Sequence, residues 1–274
     1  MVVRREEGTA RIHLSEISMV ILETMQVYLS AYLLAECAKQ KIPIVVSDVE
    51  HNPVGQYLPI YGSHNASKRL REQTAWGEPV KKRLWRRIVQ DKISQQAEVL
   101  SVGGLKKDAA ILKNYSKEVK SKDSTNREAA AAYLYFQSLF GEGFSRSTDN
   151  DINASLNYGY AILLSRINRE IVSRGYSTQL GIFHRNEYNP FNLSCDFMEP
   201  FRPIFDYEVA ANLEHGFDAD MRKVLVNIMN QKLYYRDGEY RVGSVITQYV
   251  QDCLNALAKK IEVSQIEKFS IFER

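Results

Sequence analysis

The residues of this chain best equipped for chemistry lie between Leu180 and Pro203, where His184 is followed by Asp196, Glu199 and Arg202. Asp196 and Glu199 are separated by the apolar pair Phe197-Met198. In a helical segment both carboxylates share one face. Carboxylates so placed repel one another, and a divalent cation offsets that repulsion well. An imidazole from His184 and a further carboxylate would complete an anionic pocket. Such a set is neither a thiolate zinc site nor an all-oxygen calcium cage. It suits Mn²⁺ or Mg²⁺, with positions left for water and phosphate. An ion of this kind polarises a phosphodiester, activates the attacking oxygen and stabilises the leaving one. Plainer readings fit the same residues: a histidine that is only a polar partner, and an Asp-x-x-Glu pair on an exposed helix. Arg202 either contacts a nucleic acid or holds the acidic helix in place through an ion pair.

Charge supplies a second candidate. The 274 residues carry 36 Lys+Arg against 33 Asp+Glu, a net charge of only +3. Residues 68–122 alone hold 15 Lys+Arg and 6 Asp+Glu, leaving the remainder of the chain acidic. Within that segment Lys82, Arg83, Arg86 and Arg87 fall opposite most of the apolar face formed by Val80, Leu84, Trp85, Ile88 and Val89. A row of this kind suits a phosphate backbone, whose neutralisation releases counterions. A solvated helix face is the competing reading. The choice of Arg over Lys, with Trp76 and Trp85 nearby, tilts the balance towards a polyanion.

These side chains need elements to position them, and the sequence divides into two regimes. From about residue 10 to 60, short apolar runs alternate with turn residues. Ala10–Leu14, Met19–Leu22, Pro43–Val46 and Val54–Ile60 read as strands, the last pushed to an edge by Pro53 and Pro59. Ser30 caps a helix running to about Lys41. After Gly62-Ser63-His64 the period becomes helical. Helices are expected from Val80, from Glu128 to Phe140 with Thr125 or Asn126 as cap, from Asn153 to Arg174 with Gly175 as stop, and from Ser244 to Lys260. Asp237-Gly238 marks a hairpin between Tyr234 and Tyr240. The expected architecture is α+β: a small N-terminal β-rich module over residues 1–66, then a large, mostly α-helical domain over residues 67–274.

Composition excludes several classes. With 45% hydrophobic residues and near-neutral charge the chain is not disordered. It shows no apolar h-region at its start and no stretch of about 18 apolar residues, so a cytoplasmic location without a membrane span is expected. Cys37, Cys195 and Cys253 form no C-x-x-C pair and read as reduced thiols. His13, His51, His64 and His215 have no metal partners at useful spacing, and Asp149, Asn150 and Asp151 read as the loop and cap before the Asn153 helix.

The stretch Cys195-Asp196-Phe197-Met198-Glu199-Pro200-Phe201-Arg202-Pro203 resembles the signature of the CRISPR-associated spacer-acquisition integrases, the CRISPR-associated protein one family, in its type II branch. Gly181-Ile182-Phe183-His184-Arg185-Asn186 resembles the family's histidine motif, Asn126-Arg127-Glu128-Ala129-Ala130 its glutamate motif, and Asn153 to Tyr160 the helix between them. Ile12 to Ile17 and the Trp76 region are similar to the same branch. The resemblance implies an N-terminal β-sandwich followed by a helical catalytic domain. It implies that Glu128, His184 and Glu199 are metal ligands and catalytic residues, with Asp196 supporting the metal or the DNA end. The implied reaction is transesterification, in which the 3′-hydroxyl of a new spacer attacks a phosphodiester at the leader–repeat boundary; water replaces the hydroxyl in nicking or cleavage. The implied partners are double-stranded DNA, the second CRISPR-associated adaptation protein and a second copy of the chain. A general metal-dependent nuclease and an inactive DNA-binding assembly subunit are the alternatives. Relatives of this branch carry one more β-hairpin, of about 20 residues, ahead of the segment matching Val2-Val3-Arg4. On that comparison the chain is expected to enter its sandwich part-way, which would leave a sheet edge open.

Overall fold

Short apolar runs build the first part of the chain and helical periodicity the rest, in a computed structural model that describes residues 1–5, 8–51, 53–60 and 63–272. β1 (Val2–Arg5) and β2 (Gly8–Arg11) form an antiparallel pair. β3 (Val20–Leu22), α1 (Ala31–Lys39) and β4 (Ile44–Ser47) form a crossover unit in which β3 and β4 run parallel. Parallel strands need such a crossover connection, and α1 supplies it. Ser30 caps α1 by accepting from the Leu33 N–H at 3.2 Å, as expected. β5 (Pro53–Tyr57) pairs antiparallel with β4. It ends short of the expected Ile60, before Pro59, which lacks a backbone donor. Cys37, Ile42 and Ile44 close this module's core against Leu14, Val20 and Leu34. Gly62, at the expected change of period, lies outside the described residues.

Helices α2 (Ala66–Thr74), α3 (Glu78–Val102), α4 (Lys106–Glu118), α5 (Arg127–Phe140) and α6 (Asp151–Ser173) follow. Then come α7 (Asn192–Met198), α8 (Arg202–Ala211) and α9 (Ala219–Asn227). A hairpin, β6 (Lys232–Tyr235) and β7 (Gly238–Arg241), leads to α10 (Val242–Leu257), and β8 (Phe269–Ser270) pairs back onto β6. Arg236 and Asp237 make the hairpin turn, one position earlier than Asp237-Gly238, with Arg236 at φ 55°. Strands first and a helical domain after them is the α+β order expected.

Two long helices organise the second part. α3 packs against α4, α5, α8 and α10, and buries Leu84, Trp85, Ile88, Ile93 and Leu100. α6 packs against α7 to α10 and against β5. Gly159 lets α8 approach: a Cβ there would lie 2.7 Å from Phe205. The first module is tied to α6 by polar contacts, Arg169 to the Lys41 carbonyl at 2.7 Å and the Asn168 amide to Gln56 at 2.8 Å. Cys37, Cys195 and Cys253 are free thiols. No helix among the described residues is long and apolar enough to cross a membrane.

Candidate active site

Asp196 lies on α7 with no solvent exposure, and the loop ahead of α7 is wrapped around its carboxylate. Its Oδ2 accepts from the Ile182 N–H at 2.6 Å and the Phe183 N–H at 3.2 Å; its Oδ1 accepts from the His184 N–H at 3.1 Å and His184 Nδ1 at 2.8 Å. A buried carboxylate must be satisfied in this way or be strongly destabilising. Gly181 opens the wrap: a Cβ there would stand 2.8 Å from Asp196 Oδ2 and would run into the His184 carbonyl. The loop is also tied at its ends. The Gln73 side chain of α2 donates to the Ser177 and Leu180 carbonyls, at 2.8 and 3.0 Å, and the Asn192 amide donates to the carbonyls of Gln179, Asn186 and Asn189. Trp85 of α3 stacks on Phe183, ring centroids 4.1 Å apart, and meets the His184 ring edge-on. The imidazole is thereby held with Nδ1 on Asp196 and its other nitrogen, Nε2, remaining. The Asp196 hydrogen bond raises the His184 pKa above its ordinary value, against burial, which lowers it.

Glu199 follows Asp196 at the end of α7, in a short 3₁₀ turn, and is also buried. Glu128 stands in the first turn of α5. The expected Asn126 cap is replaced: Asn126 is left-handed, φ 52°, and the Asp123 carboxylate accepts from the Arg127 and Glu128 N–H groups at 2.9 and 3.0 Å. Lys92 of α3 joins the acids, its Nζ 2.7 Å from Glu128 Oε1 and 2.5 Å from Glu199 Oε2. Arg202 Nε lies 3.1 Å from Glu199 Oε1, with its guanidinium 4.6 Å over the Tyr160 ring. Burial pushes the Glu199 carboxyl up, but Arg202 and Lys92 outweigh it and hold the group below its ordinary value. Burial pushes the Lys92 ammonium down, and Glu199 with Glu128 more than restores it. Tyr160 donates its hydroxyl to Asp206, whose pKa burial raises to about 6.

Two carboxylates around a cation, with a carboxylate-braced imidazole in the same field, make a donor set that fits a hard divalent ion. A ligating histidine characteristically gives its second ring N–H to a carboxylate, as His184 gives Nδ1–H to Asp196. Glu199 Oε2 is buried with no donor in hydrogen-bond geometry, only the ammonium contact. The profile of the family described as CRISPR associated protein Cas1 matches residues 1–221. This chain belongs to the Cas1 family. It is 40% identical over 216 residues to the CRISPR-associated endonuclease Cas1 of Neisseria meningitidis serogroup C (strain 8013), across 79% of this chain and 71% of that protein. Solved structures share the Cas1 fold at low identity. A casposase bound to integration product superposes with a TM-score of 0.75 at 19% identity, over 94% of this chain and 82% of that one. A chain of a Cas6-RT-Cas1--Cas2 complex gives 0.75 at 19%, over 100% of this chain and 34% of that one.

Within this Cas1 chain the expected residues are distributed unevenly. Glu128 and Glu199 meet at Lys92, Asp196 is engaged by the His184 loop, and both glutamates lie near enough to His184 to help raise its pKa. Among the described residues, however, the only group of three or more potential ligands with donor atoms all within 4.8 Å of one another is His215, Asp218 and Asp220, so Glu128, His184 and Glu199 are not gathered as a set of direct ligands. That exposed set also corrects the reading of His215 as partnerless: its Nδ1 is 3.8 Å from Asp218 Oδ2, and Asp218 already caps α9. Lys82, Arg83 and Arg86 are exposed on α3. Arg87, expected beside them, is turned inward: Nε is 2.7 Å from Asp91 and Nη2 2.7 Å from the Ile266 carbonyl. The Asp91 partner one turn on was visible in the sequence as an i,i+4 pair. Arg202 takes the ion-pair alternative, and Trp76 and Trp85 are core rather than DNA platforms. Lys92, Gln73 and Asn192 were not singled out from sequence. For Lys92 a signal existed, a lone cation between the apolar positions Ile88, Val89 and Ile93.

Proposed function

We propose that this chain is a metal-dependent DNA integrase and endonuclease, inserting new spacers into a CRISPR array by 3′-hydroxyl attack on a phosphodiester at the leader–repeat boundary. One observation carries the reading: Glu128 and Glu199, distant in sequence, face a shared cation beside an imidazole braced by a buried carboxylate. Glu128, Glu199 and His184 Nε2 are the groups that would hold Mn²⁺ or Mg²⁺. When bound, such an ion polarises the phosphodiester and stabilises the charge on the displaced oxygen. Asp196 keeps the Nδ1 proton on His184, so that Nε2 stays free to act as a ligand. Arg202 keeps the Glu199 carboxylate ionised and oriented. Lys82, Arg83 and Arg86 draw double-stranded DNA to the pocket by charge. Likeness to a chain of the Cas6-RT-Cas1--Cas2 complex supports a second adaptation protein as partner, and likeness to the casposase bound to integration product supports strand transfer. A second copy of the chain fits the exposed apolar residues of the first module, Tyr28, Tyr32, Val49, Val54 and Ile60.

The test is strand transfer of labelled 3′-OH DNA into a leader–repeat duplex with Mn²⁺, comparing wild type with Glu199→Gln and His184→Ala. Both variants are expected to bind DNA and lose at least about a hundredfold in rate, the scale of a lost charge-stabilising group. Full transfer by either variant would overturn the metal-site assignment. DNA binding by wild type with no transfer or cleavage would make the chain an assembly subunit instead.

A further inference from the structure

We propose that Lys92 is the resident cation of the acidic pocket: its ammonium holds the place between Glu128 and Glu199, and a divalent ion binds by displacing it. This rests on the metal-site reading above and concerns what the pocket contains before the ion arrives.

Lys92 belongs to α3, whose neighbouring side chains Ile88, Val89 and Ile93 are fully buried, so its backbone is fixed in the core. Its long stem ends between the two acids, at 2.7 Å and 2.5 Å, with only 12% of the side chain exposed. Nζ fills the space between Glu128 Oε1 and Glu199 Oε2, which an ion held by both acids would need. Charge makes the two occupancies exclusive. Lys92 and Arg202 already contact Glu199, and Lys92 also contacts Glu128, so a divalent ion held by the same two acids would sit directly beside both cations, a repulsion that removal from water strengthens. One cation must leave, and Arg202 is the less free: its guanidinium lies over the Tyr160 ring, with Nη2 on Met198 Sδ at 3.8 Å. Among the described residues, Lys92 is held by the acids alone. A lysine is suited to this role, being a point charge on a flexible four-carbon stem with no fixed fork to realign. The arrangement also explains why Glu128, His184 and Glu199 are not gathered within ligating distance: the acids are arranged around an ammonium.

The consequence is a trade-off between the stability of the ion-free protein and affinity for the ion. Replacing Lys92 by a neutral residue takes the ammonium from Glu128 and leaves Glu199 with Arg202 alone, lowering the melting temperature of the ion-free protein. It also removes the competitor, so Mn²⁺ should bind at least about tenfold more tightly, a change equivalent to about 1.4 kcal/mol.

The experiment is calorimetric titration of Mn²⁺ into the purified full chain, with thermal melts run with and without Mn²⁺, for wild type, Lys92→Met, Lys92→Gln and His184→Ala. Tighter Mn²⁺ binding and a larger Mn²⁺-induced rise in melting temperature in either neutral Lys92 variant support the proposal. Lys92→Gln serves where Lys92→Met fails to fold. Mn²⁺ binding that is lost in His184→Ala yet unchanged or weakened in the folded Lys92 variants overturns the Lys92 inference and leaves the metal-site reading standing. Mn²⁺ binding indifferent to His184→Ala places the ion elsewhere and overturns both.

Discussion

Asp196→Asn changes one atom of the site and should have a large effect. The carboxylate is wholly buried and receives N–H groups on both oxygens, from Ile182 and Phe183 on one and from His184 backbone and ring on the other. An amide placed either way turns an NH₂ towards a pair of donors. At least two hydrogen bonds to a charged acceptor are lost, each worth about 1.5–3 kcal/mol, and donors are left facing a donor. A destabilisation of roughly 4 kcal/mol follows, and at about 2–4 °C per kcal/mol for a chain of this size the melting temperature should fall by about 10 °C. Local damage should accompany it. The loop from Gly181 to His184 loses its anchor, so amide hydrogen exchange should rise at Ile182, Phe183 and His184 ahead of the α3 core. The measurement is a thermal melt with hydrogen exchange resolved to that loop. A variant melting within about 2 °C of wild type, with the loop amides equally protected, would refute the view that Asp196 is the loop's organising acceptor.

Asp206 supplies a pH prediction. Burial raises its pKa from 3.8 to about 6, so the folded state binds more protons than the unfolded one between those values. Stability therefore falls as pH rises through that window and levels off above it, by about 3 kcal/mol in all for this group. Urea midpoints across the window should show the stability gap between wild type and Asp206→Asn changing by that order; parallel profiles would exclude it. On α3, reversing Lys82, Arg83 and Arg86 to Glu should weaken DNA binding and flatten its salt dependence, the logarithmic slope falling by about 0.9 for each phosphate no longer neutralised. Arg87→Glu should instead lower the melting temperature, because its guanidinium holds Asp91 and the Ile266 carbonyl; a wild-type melt for that variant would return Arg87 to the exposed strip.

What could be read from sequence follows the range of the interactions. α1, β4, α5, α6 and the β6–β7 hairpin carry local signals: caps, apolar period, turn residues. The acids of α7 could be recognised because their spacing is local as well. Lys92 could not be assigned a role from spacing, since its partners are 36 and 107 residues away and nothing near it marks either one. The wrap around Asp196 was hidden for a related reason: backbone N–H groups recognise it, and these leave no trace in side-chain identity except Gly181. Helical spacing alone places Arg87 at the margin of the charged face, and Asp91 together with the distant Ile266 carbonyl draws it inward. β8 is two residues long and owes its existence to pairing with β6.

The family profile ends at residue 221, yet Phe269 of β8 stacks on Phe201 at 4.5 Å, and Phe201 closes the turn that carries Glu199. The Gln95 amide donates to the Phe269 carbonyl at 2.6 Å, tying the same residue to α3, the helix of Lys92. The turn that carries Glu199 is therefore braced from a region outside the matched portion of the chain. A substitution at Phe269 would thus reach the Glu199 turn and α3 together while every motif residue stays in place.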